Sequence, residues 1–284
     1  MKTNIVFSEK CLHYGTWHIE GPQRLRVAKE ILKEKGYNFV EPEPATEDDL
    51  LLIHDFDYLW NLKKGLIEDH DTPAYDKIFD YASVSAGAAI MAAKTNSFSL
   101  TRPPGHHVGA NGPALGVYTR GFCYTNNIAI AVKTLDKSTL ILDIDGHHGN
   151  GTQEIFLGDS KVTYISIHRS PLYPGTGIVS EQNCINYPLP GDCGEQNYLQ
   201  TLDKALTSID VSKFEVLAIS AGFDTYQNDL ASLNLTENSF YEIGKRIGSF
   251  KKRTFFVMEG GYLGEKNGLS IDQLLKGYEA EAYK

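Results

Sequence analysis

The stretch Leu140-Ile141-Leu142-Asp143-Ile144-Asp145-Gly146-His147-His148-Gly149-Asn150-Gly151 constrains this chain more than any other. Its first half is an apolar, partly β-branched run of the kind buried on both faces of a sheet. Alternation along a strand puts Asp143, Asp145 and His147 on one face. Carboxylates buried on a strand face are costly unless a cation or hydrogen-bond donors compensate them. Glycines at 146, 149 and 151 then let the chain turn and approach closely whatever sits there. Two carboxylate oxygens and one imidazole nitrogen suit a borderline divalent ion such as zinc. A buried Asp–His network without metal is the alternative that this stretch alone leaves open.

Composition narrows the setting. A chain of 284 residues, 42% hydrophobic, can bury a large core. Its richest apolar stretch, Ala86 to Ala93, is far short of the roughly 20 residues a membrane helix needs, so no membrane partner is expected. Met1 to Phe7 reads as a first strand rather than a signal peptide. Cys11, Cys123, Cys184 and Cys193 show no CxxC spacing, which predicts reduced thiols and a cytoplasmic protein. The formal net charge of −9 argues against a nucleic-acid-binding surface and is compatible with a cationic substrate.

Leu25, Ala28, Ile31 and Leu32 recur at helical spacing between Pro22 and Gly36. Thr46-Glu47-Asp48-Asp49 opens a short helix with a capping-box-like start. Further helices are predicted over residues 58–64 and 83–94. His13 to Glu20 reads as a surface loop, and His54 and His70 as surface or capping histidines rather than ligands. From Ser97 the rhythm is strand, loop, helix: strands at 97–101, 140–143, 162–168, 216–220 and 254–258, helices at 125–135, 197–209 and 239–250. That alternation predicts one α/β domain over residues 1–284, a parallel sheet covered on both faces. No linker, repeat or low-complexity tract divides it.

Four predicted strands end in polar clusters: His106-His107, Asp145/His147, Asp224 and Glu259-Gly260-Gly261-Tyr262. Ligands bind outside the carboxyl ends of strands in open parallel sheets, so the four should share one rim. Asp145, His147 and Asp224 make three ligands with a position left for water, the pattern of a catalytic rather than a structural zinc site. Asp143 then serves to orient a histidine or to help hold a further cation. His106 or His107 can accept a proton, and Tyr262 on its glycine-flexed loop can donate to a developing oxyanion. A structural histidine pair and a core tyrosine are the plainer alternatives. Together the parts describe metal-assisted hydrolysis of an amide.

RPPGHH (Arg102 to His107), GFCYTNN (Gly121 to Asn127), LDIDGHHGNGTQEIF (Leu142 to Phe156), SIH (Ser166 to His168), YPGTG (Tyr173 to Gly177), AGFD (Ala221 to Asp224) and EGGY (Glu259 to Tyr262) resemble the histone deacetylase and acetylpolyamine amidohydrolase superfamily. The motifs stand in the family's order and cover most of the chain from about Ile53 onward. The resemblance implies the arginase–deacetylase fold, an open, mainly parallel sheet of about eight strands with helices on both faces. It implies that Asp145, His147 and Asp224 hold one catalytic zinc, that His107 is the general base beside His106, and that Tyr262 polarises the carbonyl. It pairs Asp143 with His106 and Asn150 with His107. It also implies a structural potassium at Asp143, Asp145, His147, Ser166 and Ile167. Phe122 and Tyr173, with Gly121, match the acyl-lysine channel, Asp71 a rim aspartate that grips substrate backbone, and Arg24 the arginine of an acetate-exit pocket.

The departures are informative too. Asn150 stands where one branch of the family has aspartate, which places the chain with the class II and bacterial branch, among the compact prokaryotic members. His18-Ile19-Glu20-Gly21-Pro22 lacks the proline usual after the histidine. Leu230 falls near the position where polyamine-selective members carry a glutamate gatekeeper. The reading is a zinc-dependent deacylase acting on N-acyl-lysine of proteins or peptides, with acetylpolyamine hydrolysis as the alternative and an inactive acyl-lysine-binding module as a third. An arginase-like ureohydrolase would need a second set of metal ligands, which the chain lacks. An oligomer is compatible with the sequence.

Overall fold

The computed structural model describes residues 2–284. Its strands are β1 (Ile5–Val6), β2 (Phe39–Val40), β3 (Phe98–Ser99), β4 (Thr139–Asp143), β5 (Val162–Arg169), β6 (Cys184–Leu189), β7 (Val216–Ala221) and β8 (Arg253–Met258). They form one eight-stranded sheet in the order β2-β1-β3-β8-β7-β4-β5-β6, and every neighbouring pair is parallel. The helices are α1 (Gln23–Glu34), α2 (Glu47–Leu50), α3 (Phe56–Lys63), α4 (Ile78–Thr95), α5 (Asn127–Leu135), α6 (Asn150–Phe156), α7 (Gly194–Thr207), α8 (Glu237–Ser249) and α9 (Gly264–Ala282). The α/β fold expected from the alternation is the fold observed.

Strand periodicity divides the core into two. Leu140 and Leu142 of β4, with Leu217 and Ile219 of β7, pack against Leu25 of α1, Leu202 of α7, Ile243 of α8 and Leu274 of α9. Ile141 and Ala218, one residue out of phase, face the other way onto Leu62 of α3, Ala89 of α4 and Ile128 of α5. A sheet buried on both faces needs continuous apolar strands, which is why β4 and β7 carry no alternating pattern. Truncating Ile141 to Ala would cost about 2–5 kcal/mol in lost transfer energy and cavity. The small side chains of α4 allow close approach: a Cβ on Gly87 would sit 2.1 Å from the Glu43 carbonyl oxygen.

Some local expectations needed correction. The capping box is present, with Thr46 Oγ1 accepting from Asp49 N at 3.1 Å and Asp49 Oδ2 from Thr46 N at 2.8 Å. However, β4 stops at Asp143, so Asp145 and His147 sit in a loop rather than on the strand. The cause is local: Asp143 Oδ1 takes the amide of Asp145 at 3.1 Å, and Asp145 Oδ1 that of His147 at 2.8 Å. Side chains that bond amides two residues on turn the backbone out of the ladder. His54 is buried, not superficial. Its Nδ1 faces the Ala110 oxygen at 3.2 Å and its Nε2 accepts from the amide of Asn126, the residue that caps α5, at 2.9 Å. The 13–20 loop also dives inward at Glu20, which is buried against Arg24 and Arg102.

Candidate active site

Strands β3, β8, β7 and β4 are consecutive in the sheet, so the four polar clusters that follow them meet along one rim. One ligand atom from each of Asp145, His147 and Asp224 lies within 4.8 Å of the others. The two carboxylates are fully buried. Asp224 Oδ2 lies 2.8 Å from His147 Nδ1 yet has no hydrogen-bond partner of proper geometry. An orphaned, buried carboxylate oxygen beside a second carboxylate calls for positive charge. Burial, with Asp145 adding to it, pushes the Asp224 carboxyl up to about 6. Burial alone would depress His147, but Asp224 and Asp145 outweigh it and raise the imidazole to about 10. Positive charge, from a proton on His147 or from a divalent ion, compensates the two carboxylates. The donor set, two oxygens and a nitrogen with no cysteine, fits such an ion.

The two neighbouring histidines differ sharply. Their rings stand 4.1 Å apart between centroids. His106 Nδ1 lies 3.1 Å from Asp143 Oδ2, which also accepts from the Tyr164 hydroxyl at 2.9 Å. Burial opposes its charge, but Asp145, Asp143 and Glu259 raise it to about 10. His107 Nδ1 lies 2.8 Å from Asn150 Oδ1. The Asn150 amide nitrogen donates to the Ala114 oxygen at 3.0 Å, so Oδ1 is left as the acceptor. His107 therefore carries its proton on Nδ1 and presents a bare Nε2. Burial, reinforced by His106 and His147, holds His107 well below the usual imidazole range.

Tyr262 follows a loop segment held at several points. Gly260 N donates to Asp145 Oδ2 at 2.7 Å, and Phe223 N to the Gly260 oxygen at 3.0 Å. Gly261 adopts φ +118°, a region that favours glycine. Arg24 is buried beneath: its Nε donates to the Gly261 oxygen at 2.7 Å, another nitrogen to the Glu259 oxygen, and Nη1 to Glu20 at 2.8 Å. Its guanidinium lies 4.9 Å from the Tyr262 ring centre. The Phe122 ring meets that of Tyr262 edge-on at 5.9 Å, and Tyr173 meets His107 at 5.1 Å. Gly121, where a Cβ would lie 2.4 Å from the His107 ring, lets the loop close over the histidine.

Ser166 is in register with Asp143 across β4 and β5, and Ile167 follows it. Asp71 accepts from the Thr72 hydroxyl at 2.7 Å and from Gly121 N at 3.1 Å, so it braces the loop at Gly121. Leu230 is exposed. Three residues without an assigned role from the sequence also matter. Glu259 Oε2 accepts the amides of Gly105 and His106 at 2.7 and 3.1 Å and so anchors the tandem histidines. Burial pushes its carboxyl up to about 7. Glu20 neutralises Arg24 and Arg102, and Asp229 holds the backbone of Tyr262. Glu259 was visible only as part of EGGY; Asp229–Tyr262 and Glu20–Arg102 are long-range pairings that no local pattern signals.

The rim of this α/β fold gathers an oxygen–nitrogen–oxygen donor set that could hold a metal ion, two unlike imidazoles and a tyrosine on a bent loop. Comparison with known proteins makes the class specific. The chain matches the histone deacetylase domain over residues 18–278 and belongs to the histone deacetylase and acetylpolyamine amidohydrolase superfamily. It is 36% identical to a probable deacetylase of Archaeoglobus fulgidus, across 100% of this chain and 89% of that one. It is 37% identical to acetylpolyamine amidohydrolase 2 of Pseudomonas aeruginosa over 64% of this chain and 56% of its relative. Among solved structures, the acetylpolyamine aminohydrolase of Burkholderia pseudomallei superimposes with a TM-score of 0.89 at 25% identity, covering 98% of this chain and 99% of that one. No helix among the described residues is long and apolar enough to cross a membrane.

Proposed function

We propose that the chain is a zinc-dependent deacylase that hydrolyses the side-chain amide of N-acyl-lysine in peptides or proteins. The observation that carries the reading is the unlike pair of histidines beside the orphaned Asp224 oxygen. Asp145, His147 and Asp224 would hold the zinc, which when bound polarises an amide carbonyl and acidifies water. His107, neutral and bare at Nε2, takes the proton from the attacking water. Water oxygen bonds to the carbonyl carbon, the C–N bond breaks, and the proton passes to the leaving amine. His106, whose imidazolium form Asp145 and Asp143 favour, stabilises the negative charge that builds during attack. The Tyr262 hydroxyl donates to the same developing oxyanion.

Phe122 and Tyr173 are suited to flank the aliphatic stem of an acyl-lysine, since apolar walls bind methylenes without competing for the amide. A structural potassium is proposed at Asp143, Asp145, His147, Ser166 and Ile167; Asp143 closes β4 in register with Ser166 of β5, and Asp145 and His147 follow in the loop. Acetylpolyamine hydrolysis is the second reading, favoured by the Pseudomonas relative. Against it, Asp69 is paired with Arg120 at 2.5 Å, and Leu230 offers no charge to a polycation. A panel of acetyl-lysine peptides, longer acyl-lysine peptides and acetylated polyamines decides. A higher kcat/KM on a peptide is expected; a higher value on an acetylated polyamine would reverse the assignment.

A further inference from the structure

Asp229 lies on the loop that follows Asp224, and its carboxylate is spent on the main chain of another loop. Its Oδ2 accepts from the amides of Tyr262 and Leu263 at 2.9 and 3.3 Å, and its Oδ1 accepts from Leu230 N at 2.7 Å. Bonds from amides to an ionised acceptor are roughly twice as strong as neutral ones. The bonds of Gly260 and Arg24 described above fix the Tyr262 loop only as far as the Gly261 oxygen. Beyond that point the backbone has just passed through a glycine at φ +118°, and the amide that carries the tyrosine rests on Asp229.

We propose that Asp229 is a positioning residue for Tyr262. It fixes the tyrosine main chain, and through it the phenol hydroxyl, against the loop that carries Asp224. A small rotation at Tyr262 N is levered along the whole side chain, and a misplacement of about 1 Å at a reacting group can cost on the order of 100-fold in rate. This inference rests on the deacylase reading, because it assigns Asp229 no role except through the Tyr262 hydroxyl.

Asp229→Ala, Asp229→Asn, Tyr262→Phe and the Asp229→Ala/Tyr262→Phe double variant test it on an acetyl-lysine peptide, with hydroxamate affinity measured alongside. Asp229→Ala should lower kcat by about tenfold or more, with KM and hydroxamate affinity held. Asp229→Asn, which keeps an acceptor oxygen, should fall between it and the parent, and it serves if the alanine variant does not fold. In metal-free protein, exchange of the Tyr262 and Leu263 amides should accelerate in Asp229→Ala, a readout independent of turnover. In the Tyr262→Phe background Asp229→Ala should add almost nothing, since the hydroxyl it positions is gone. Equal losses in both backgrounds, or an unchanged kcat in the single variant, would overturn the proposal while leaving the function intact. A Tyr262→Phe variant within about twofold of the parent would instead remove the role of Tyr262 in the function, and that of Asp229 with it.

Discussion

The two ends of the sheet use the same residue types to opposite effect. At the starts of the strands, Lys137 pairs with Glu215 at 2.5 Å, Lys161 with Asp136 at 2.7 Å and Lys133 with Asp159 at 2.6 Å. At the strand finishes, Asp143, Asp145, Asp224 and Glu259 are all completely buried. Water screens the first set, and holding two long side chains together costs nearly what the attraction returns. In the second set each charge must be met by a proton, an imidazole, a backbone amide or a metal. Asp224, Glu259, His106 and His147 accordingly titrate far from their ordinary values. Burial, not residue type, separates decoration from machinery.

Variants at the buried end should have the largest effects. His107→Ala removes the neutral base and should cost turnover on the order of 100- to 10,000-fold, while hydroxamate affinity survives. Rates on an acetyl-lysine peptide within a few-fold of the parent would shift the base to His106. Tyr262→Phe should cost about 100- to 1000-fold in kcat with metal content unchanged, because it removes a donor and no ligand. A loss of metal in that variant would show that the loop supports the triad rather than the oxyanion.

Much of this contrast was legible in the sequence. The ends of β3, β4, β7 and β8 could be placed on one rim because each strand is a short apolar run closed by polar residues. What escaped has physical causes. Helix α6 starts amid glycines that read as a turn. Helix α9 contains glycines at 264, 268 and 277 that resemble breakers, yet they are packing contacts: a Cβ on Gly277 would meet the Tyr241 oxygen at 2.0 Å. Strand β6 is an edge strand with Pro188 near its end, which weakened its pattern. The inequality of the histidines was foreseeable from Asp143 and Asn150. The Glu20–Arg102 pair was not, since its partners stand 82 residues apart.

The pH profile sharpens the same contrast. His107 must be neutral to act, and burial with two neighbouring imidazoles lowers its pKa. Lowering extends the neutral form toward acid, so the acidic limb of kcat against pH should lie below the ordinary imidazole value of about 6.5. Asn150→Asp places a negative charge at Nδ1, stabilises the imidazolium and should move that limb upward. A limb that ignores Asn150→Asp but moves with Asp143→Asn would name His106 as the base. At the opposite end of the sheet, Lys137→Ala and Lys161→Ala should leave kcat/KM within about twofold and the urea midpoint unchanged. A marked loss of activity in either would break the division between the two ends.

The central claim is that the buried rim works by holding a metal. The direct measurement is metal content of the purified protein, followed by activity on an acetyl-lysine peptide after removal by a strong chelator and after zinc is returned. About one zinc per chain is expected, with activity lost on removal and restored on return. Full activity in rigorously metal-free protein would contradict the account.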